Sequence, residues 1–459
     1  MPETKEIPTA NEVRTQLNRM LASPYFNDAE TQSNLLRFVV ESALAEKPIS
    51  EFDLKIALGG VFDVDSHKER ASAHVVRLKI KKYYDNEGAN DLVEIYLPPG
   101  PSYKPDIFYR FQSEAIAIYR RSLMWMRAAT RGSLFEADSE IRKVRNLEPN
   151  FVPAYLADAE IALLRIVVEQ TLSLVKGYRA SLHHARWPAS RALEIEPKSC
   201  KANILIAAEC FLDFQWADAE ERFAEARRID ERETDSSMWY ATFLMMGGEQ
   251  SKGLHIAKSL AEQYPESFWI NLILSLFYYV LRDFDTALKT MFEDHASEER
   301  EVFYQLLYGL IWMAKGHFEL ALMTFRKVSQ VGYKEWEMAD FFKRVDLPEY
   351  FEIKDIKSEL YLGLVVLALV GAGKQELAAK KMAVLKRHYP KDAMQSAIGY
   401  MATGNKPRAL ASLRRARRDG DVFVNGLHLL PLFDPLSDHP RFVQLLREIS
   451  NREEDENSE

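Results

Sequence analysis

The pattern of apolar and polar positions changes character near residue 112. Before it, apolar residues recur at helical spacing over Val13 to Leu21 and over Thr31 to Ala45. A third turn, Glu51 to Leu58, runs into Gly59-Gly60, which suits a helix stop. ERASAHVVRLKIKKYY predicts a strong helix over 69–84. The stretch DLVEIYLPPGPSYKPDIFYR then alternates apolar and polar residues around a Pro/Gly turn, predicting a β-hairpin with a loop longer than two residues.

After residue 112 nearly everything reads as helix, and the pattern is periodic. Small residues stand at Ala185, Ala219, Gly253, Ala287 and Ala321, each 34 residues from the next. Phe223, Ala257, Met291 and Phe325 follow the last four of these by one helical turn. Ala137 with Ile141, Ala378 with Met382 and Ala409 with Leu413 repeat the local spacing. A small residue lets the preceding helix approach closely, and the larger one a turn later fills the gap. Prolines at 149, 197, 265 and 390 close several units, because proline lacks an N–H and cannot continue a helix. Around 165–180 and 330–356, insertions break the register.

Composition narrows the classes. The 459 residues are 47% hydrophobic and 28% charged, which suits folded domains and not a disordered chain. Two cysteines, Cys200 and Cys210, exclude a disulfide framework and a four-cysteine zinc site. They fit a reducing compartment. The polar, acidic start has no apolar segment of the secretory kind. The longest apolar runs, Phe268 to Val280 and Leu360 to Ala372, fall short of the roughly 20 residues a membrane helix needs and read as buried repeat helices. The expectation is a cytoplasmic protein with no membrane partner.

Net charge is -8, so nucleic-acid binding would need a local patch. Residues 68–82 supply one: Lys68, Arg70, Arg77, Lys79, Lys81 and Lys82 against Glu69 alone. Residues 1–110 as a whole carry 14 basic and 17 acidic side chains.

The 34-residue unit resembles the tetratricopeptide repeat, with about eight degenerate copies between 113 and 420. Gly309 and Trp312 keep that family's first-helix positions in one unit. LFDPLSDHPRFVQLLREI is expected to form a closing helix. Helices followed by a basic helix and a hairpin describe a winged helix-turn-helix. AHVVRLKIKKYY with VEIYLPPGPSYKP resembles the recognition helix and wing of the OmpR-type transcriptional effector domain. Residues 13–110 look like the amino-terminal domain of a bacterial family that joins this module to repeats, through LASPYF, LLRFVVESAL, FDVD, RLKIKKYY and IYLPPGPSY. That family usually carries more arginine where Val75 and Val76 stand.

The expected fold is therefore mainly α: a winged helix of three helices plus hairpin (10–112), an α-α superhelix with closing helix (113–450), and a disordered acidic tail (451–459). The resemblance implies a DNA-binding transcriptional regulator whose repeats sense or recruit an effector. The expected partners are double-stranded DNA, a protein or peptide on the repeat groove, and further copies of the chain as a homo-oligomer. Arg70, His74 and Arg77 are assigned towards bases, with Lys79, Lys81, Lys82 and Lys104 completing the DNA-binding set. Ala71, Val75 and Leu78 are expected to pack inward, although Val76, Ile80 and Tyr83 form a competing stripe. The alternative is a non-enzymatic scaffold with a protein-binding or oligomerising first domain. A continuous positive face would favour the regulator and a mixed face the scaffold.

Other signals are weak. Gly371-Ala-Gly373-Lys374 lacks the first glycine and the Ser/Thr of a phosphate loop and reads as a turn between repeat helices. His183 and His184 point to different helix faces. Arg414, Arg415, Arg417 and Arg418 read as a solvated face rather than a second nucleic-acid site. Trp216, Trp239, Trp269 and Trp312 read as core, with some on the groove. No catalytic constellation is found, and no enzyme activity, cofactor or metal is expected.

Overall fold

The computed structural model describes residues 8–50, 53–54, 68–88, 91–99, 103–111, 113–128, 130–171, 179–291, 298–331, 361–388 and 392–450. The expected turn over 51–58, apart from 53–54, lies outside these residues, as do the acidic tail and nearly all of the second insertion. The chain divides into two compact units, Met1–Arg121 with Glu140–Ala154, and Ser122–Ser139 with Tyr155–Glu459.

In the first unit, α1 (Ala10–Ala22), α2 (Glu30–Leu44) and α3 (Lys68–Tyr84) precede a two-stranded antiparallel hairpin, β1 (Val93–Tyr96) and β2 (Asp106–Tyr109). A capping box starts α1: the Glu12 N–H donates to Thr9 Oγ1 and the Thr9 N–H donates to the Glu12 carboxylate. The core joins Val13, Leu17 and Met20 of α1, Leu36 and Val40 of α2, and Ala73, Val76, Ile80 and Tyr83 of α3. Ile95 pairs with Ile107 in the hairpin register and faces this core, while Glu94, Tyr96 and Phe108 lie on the other face.

The inward face of α3 corrects the sequence expectation. Val75 and Leu78 are exposed by 37% and 47%, and Ala71 is exposed too. The stripe through Val76, Ile80 and Tyr83 wins because it is continuous with an anchored end. Asp91, 6% exposed, accepts hydrogen bonds from Tyr83 Oη at 2.5 Å, Gln16 Nε2 at 2.5 Å and Arg19 at 2.8 Å. Tyr84 Oη donates to the Val93 carbonyl at 3.1 Å and accepts from the Ile95 N–H at 2.9 Å. Both tyrosines must turn inward to make these bonds, and the helical phase follows.

The later chain is a succession of helical pairs: α4/α5 (Ser113–Ala128, Arg131–Leu147), α6/α7 (Val152–Thr171, Arg179–Ile195), α8/α9 (Cys200–Leu212, Trp216–Ile229), α11/α12 (Met238–Gly247, Gln250–Gln263), α13/α14 (Phe268–Val280, Phe284–Thr290), α15/α16 (Glu298–Ala314, Phe318–Val331), α17/α18 (Leu362–Gly371, Gln375–His388) and α19/α20 (Lys406–Arg418 after Ala393–Ala402). A short α10 (Glu231–Asp235) follows α9. The periodic small residues Ala185, Ala219, Gly253, Ala287 and Ala321 all lie buried in second helices. At Gly253 an added Cβ would sit 2.7 Å from the Ala241 carbonyl oxygen, which shows how close the paired backbones run. The two apolar runs become α13 and α17. Among the described residues no helix is long and apolar enough to cross a membrane.

A second 34-residue rhythm lies in the turns. Phe214, Gly248, Arg282 and Gly316, each ending a first helix, have φ of 64°, 101°, 67° and 78°. At Arg282 the turn is closed by Arg282 N–H to Tyr279 O at 3.1 Å and Asp283 N–H to Tyr278 O at 2.9 Å. The left-handed conformation favours glycine and costs other residues roughly 1–2 kcal/mol. Two positions of this series therefore carry strain, and the side chains there must offset it.

Beyond α20 the chain forms two 3₁₀ turns, Val422–Gly426 and Pro431–Leu436, and then the closing helix α21 (Pro440–Ser450). The expected closing helix is present. Arg417 donates to the Glu448 carbonyl at 2.7 Å, its guanidinium lies 3.5 Å from the Glu448 carboxylate, and Arg414 lies 3.9 Å from it. The basic run thus fastens α21.

Candidate nucleic-acid and partner surfaces

Among the described residues, two regions bear on binding. The first is the outer face of α3 with the hairpin. Burying Val76 and Ile80 turns Ala71, His74, Val75, Leu78, Lys81 and Lys82 outward. Arg70 falls in α3, but its side chain lies outside the described residues. Arg77 is half-buried and bonded within the fold: Nε donates to the Leu97 and Pro98 carbonyls at 3.1 Å, and Nη2 to Pro98 at 2.9 Å. It ties the helix to the strand leaving β1. Lys79 Nζ donates to the Tyr25 carbonyl and lies 5.8 Å from the centre of the Phe26 ring. Lys104 is exposed beyond the hairpin loop.

The seven predicted residues therefore separate into groups. His74, Lys81, Lys82 and Lys104 face water. Arg77 and Lys79 hold backbone carbonyls of their own unit. The outward face is mixed, because Val75 and Leu78 stand between the cations and Tyr96 and Phe108, 43% and 41% exposed, stand on the outer face of the hairpin. Asp85, Glu87 and Asp106 are exposed on the same elements or the turns that join them.

The second is a segment packed into the repeat unit, which sequence reasoning did not find. The 3₁₀ segment runs along the C-terminal ends of successive first helices. Asn425, 2% exposed, donates from Nδ2 to the Phe211 carbonyl at 3.1 Å. At Gly426 an added Cβ would lie 2.9 Å from Met246 Sδ. Arg282 reaches further along, donating to the Leu429 carbonyl at 2.5 Å and to Asp434 Oδ1 at 2.7 Å. Val424, Leu427, Phe433 and Leu436 are buried in the same core as the repeat helices. The only signal in the sequence was composition: VFVNGLHLLPLF is too apolar for a solvated connection.

Trp216 and Trp269 serve packing. Trp216 lies 5.1 Å from Phe211 and 5.5 Å from Phe243, and Trp269 lies 5.1 Å from Phe303, all ring centre to ring centre. The glycine pair at 371 and 373 is a turn between α17 and α18, and Lys374 there pairs with Glu319 at 2.7 Å. Cys200 and Cys210 are buried thiols, and burial pushes each up to about 12. Among the described residues no cluster of His, Cys, Asp and Glu could hold a metal ion.

No protein-family model matches the chain, and no curated protein matches its sequence. Among solved structures, a human IFIT1 dimer with PPP-AAAA is similar at 15% identity, covering 90% of this chain and 96% of that one, with a TM-score of 0.40. A tetratricopeptide repeat protein from Parabacteroides merdae is similar at 12% identity over 74% of this chain and 100% of its own, with a TM-score of 0.30. Pseudomonas aeruginosa pilF is similar at 18% identity over 50% of this chain and 94% of its own, with a TM-score of 0.30.

Proposed function

We propose that this chain is a non-enzymatic adaptor: a tetratricopeptide-type array that holds a protein partner, with a first unit that binds protein through α3 and the hairpin. The carrying observation is the mixed character of that outer face. A surface built for duplex phosphates needs several free cations, because phosphate contacts supply most of the affinity. Here Arg77 and Lys79 are committed to carbonyls, while Val75, Leu78, Tyr96 and Phe108 present apolar area that phosphates do not use. Exposed apolar and aromatic side chains rimmed by charge suit a protein contact.

A second reading keeps the winged-helix regulator. It is favoured by the outward Lys81 and Lys82 on a helix that directly precedes a hairpin. One experiment separates the two. Purified full-length protein is offered genomic DNA fragments, with affinity followed against salt, and is cross-linked in parallel to partners in its own cells. The adaptor reading expects no recurrent DNA sequence and a reproducible protein cross-link at α3 that Leu78→Glu removes. A recurrent sequence with a steep salt dependence, abolished by Lys81→Ala with Lys82→Ala, overturns it.

A further inference from the structure

We propose that the second helices α18 and α20 form a binding face for the sugar-phosphate backbone of a nucleic acid, gripped by Lys386, Arg387, Arg408 and Arg418 and recognised by charge rather than by sequence. The face is separate from α3 and goes beyond the adaptor reading, which concerns protein partners.

Three observations carry it. The first is charge. Residues 374–419 hold 12 Lys/Arg against 3 Asp/Glu, an excess of nine cations in a chain whose net charge is -8. A local concentration of one sign draws a polyanion even when the whole chain is acidic. The second is how those cations are employed. Arg414 and Arg417 hold Glu448, Lys406 donates to the Pro435 carbonyl, Arg415 pairs with Asp419 and Lys380 with Glu376. Lys386, Arg387, Arg408 and Arg418 are exposed, and no carboxylate among the described residues pairs with them. The third is convergence. Gly399 lets α18 close on α19, since an added Cβ would lie 2.8 Å from Met382 Sδ and 3.1 Å from Leu385 Cδ2. The next residue, Tyr400, then meets cations from both second helices: Lys386 Nζ lies 5.3 Å from its ring centre and the Arg408 guanidinium 5.7 Å. The negative face of the ring attracts both, so two like charges from successive pairs are held together. Arg408, Ala411, Arg415 and Arg418 share one face of α20 and extend the cationic line from that point.

What lies between the cations favours phosphates over a protein surface. The exposed residues there include Ala379 and Ala383 on α18 and Ala411 on α20, small enough for a backbone to approach closely. Protein contacts are anchored by aromatic and large apolar side chains and are poor in lysine. Among the described residues of these two helices, the exposed large apolar side chain is Leu377, in the first turn of α18 and at the other end of that helix from Lys386. The α3 face is the reverse, with Val75 and Leu78 standing between its cations. Contacts of this kind position a strand without reading its bases.

The test uses the full chain and three labelled probes: an oligouridine of about 20 nucleotides, a DNA duplex of the same length, and a poly-glutamate peptide of matching charge. Each is titrated across a salt series. Four phosphate contacts predict log–log salt slopes of about -3 for the single strand and about -4 for the duplex. Lys386→Ala with Arg408→Ala, both at exposed positions, should weaken nucleic-acid binding at least about tenfold and make the slope shallower by about 1.5. Lys386→Arg with Arg408→Lys keeps both charges and should keep the binding, which separates lost charge from a disturbed fold. Lys81→Ala with Lys82→Ala should change neither affinity nor slope. Three results would each overturn the proposal: neither nucleic acid binds, poly-glutamate binds as tightly as they do, or the Lys386→Ala, Arg408→Ala chain keeps the native slope. The second of these would make the face a seat for an acidic protein segment. The α3 cross-link and its loss in Leu78→Glu decide the adaptor reading separately, because none of the α18 and α20 substitutions touches α3.

Discussion

Replacing Arg186 by methionine removes the cation from a pair whose two ends see different solvent. Arg186 of α7 donates to Glu209 of α8 from Nε at 2.8 Å and Nη2 at 2.5 Å, and reaches Gln215 at 3.2 Å. The Glu209 side chain is 2% exposed, whereas that of Arg186 is 42% exposed. Breaking a fully buried pair by deleting one partner costs about 3–5 kcal/mol. Water reaches the arginine end here, which lowers the expected loss to about 2–3 kcal/mol for Arg186→Met. Glu209→Gln leaves a neutral acceptor inside and a cation that can turn to water, at about 1 kcal/mol. The two substitutions are therefore unequal, with the arginine the costlier. The assay is labelling of Cys200, a buried thiol in α8, in a Cys210→Ala background, because Arg186 also lies 3.1 Å from Cys210 Sγ. If α8 opens locally before it is labelled, Arg186→Met should speed labelling about 30- to 150-fold and Glu209→Gln about fivefold. Equal rates, or a faster Glu209→Gln chain, would refute the argument that exposure decides which partner matters.

Other outcomes follow from the same reasoning. Gly253→Ala improves helix propensity but sets a methyl against the Ala241 carbonyl; thermal unfolding should show a net loss of about 1–3 kcal/mol, and a raised Tm would contradict the close approach. Asp91→Ala strands Gln16, Arg19 and Tyr83; urea unfolding of the first unit, followed by tyrosine signal, should show a loss of about 2–3 kcal/mol. Burial pushes the Asp421 carboxyl up to about 7 from its ordinary 3.8, with Asp392 and Asp419 adding to the shift and the Phe423 N–H opposing it. The fold favours its protonated form, so its contribution is fully present below pH 4 and is lost as pH rises towards 7. Asp421→Asn should flatten that slope and stabilise the chain at pH 8; an unchanged pH profile of unfolding would show that the carboxyl does not titrate there.

The repeat architecture was legible because its cause is local. Close helix approach demands a small residue at one position per unit, and Ala219, Gly253, Ala287 and Ala321 announce it without reference to the rest of the chain. The hairpin was legible for the same reason, through alternation around a Pro/Gly turn. The phase of α3 was not. Two apolar stripes share that helix, and the choice between them rests on Asp91 and Ile95, which act from outside the helix. Nor could the sequence reveal that Arg77 and Lys79 are bound to carbonyls, since basic residues look alike until their neighbours are placed. The terminal segment was hidden more deeply. Asn425 and Phe211 are 214 residues apart, and no periodicity links them. Arg282 gave no sign either, because its glycine-like turn is occupied by a residue that does not announce one.

The terminal segment also acts as a gauge. In an ordinary repeat array each unit touches only its neighbours, so a pair can be duplicated or lost with little consequence elsewhere. Here the links Asn425–Phe211 and Leu429–Arg282 measure the chain against itself. Insertion of one helical pair between α14 and α19 would carry residues 421–436 out of step with the helix ends that receive them. The number of pairs is consequently fixed by a part of the molecule that belongs to none of them. Lineages of this chain should vary in loop length and surface residues while holding their pair count constant from α8 to α20.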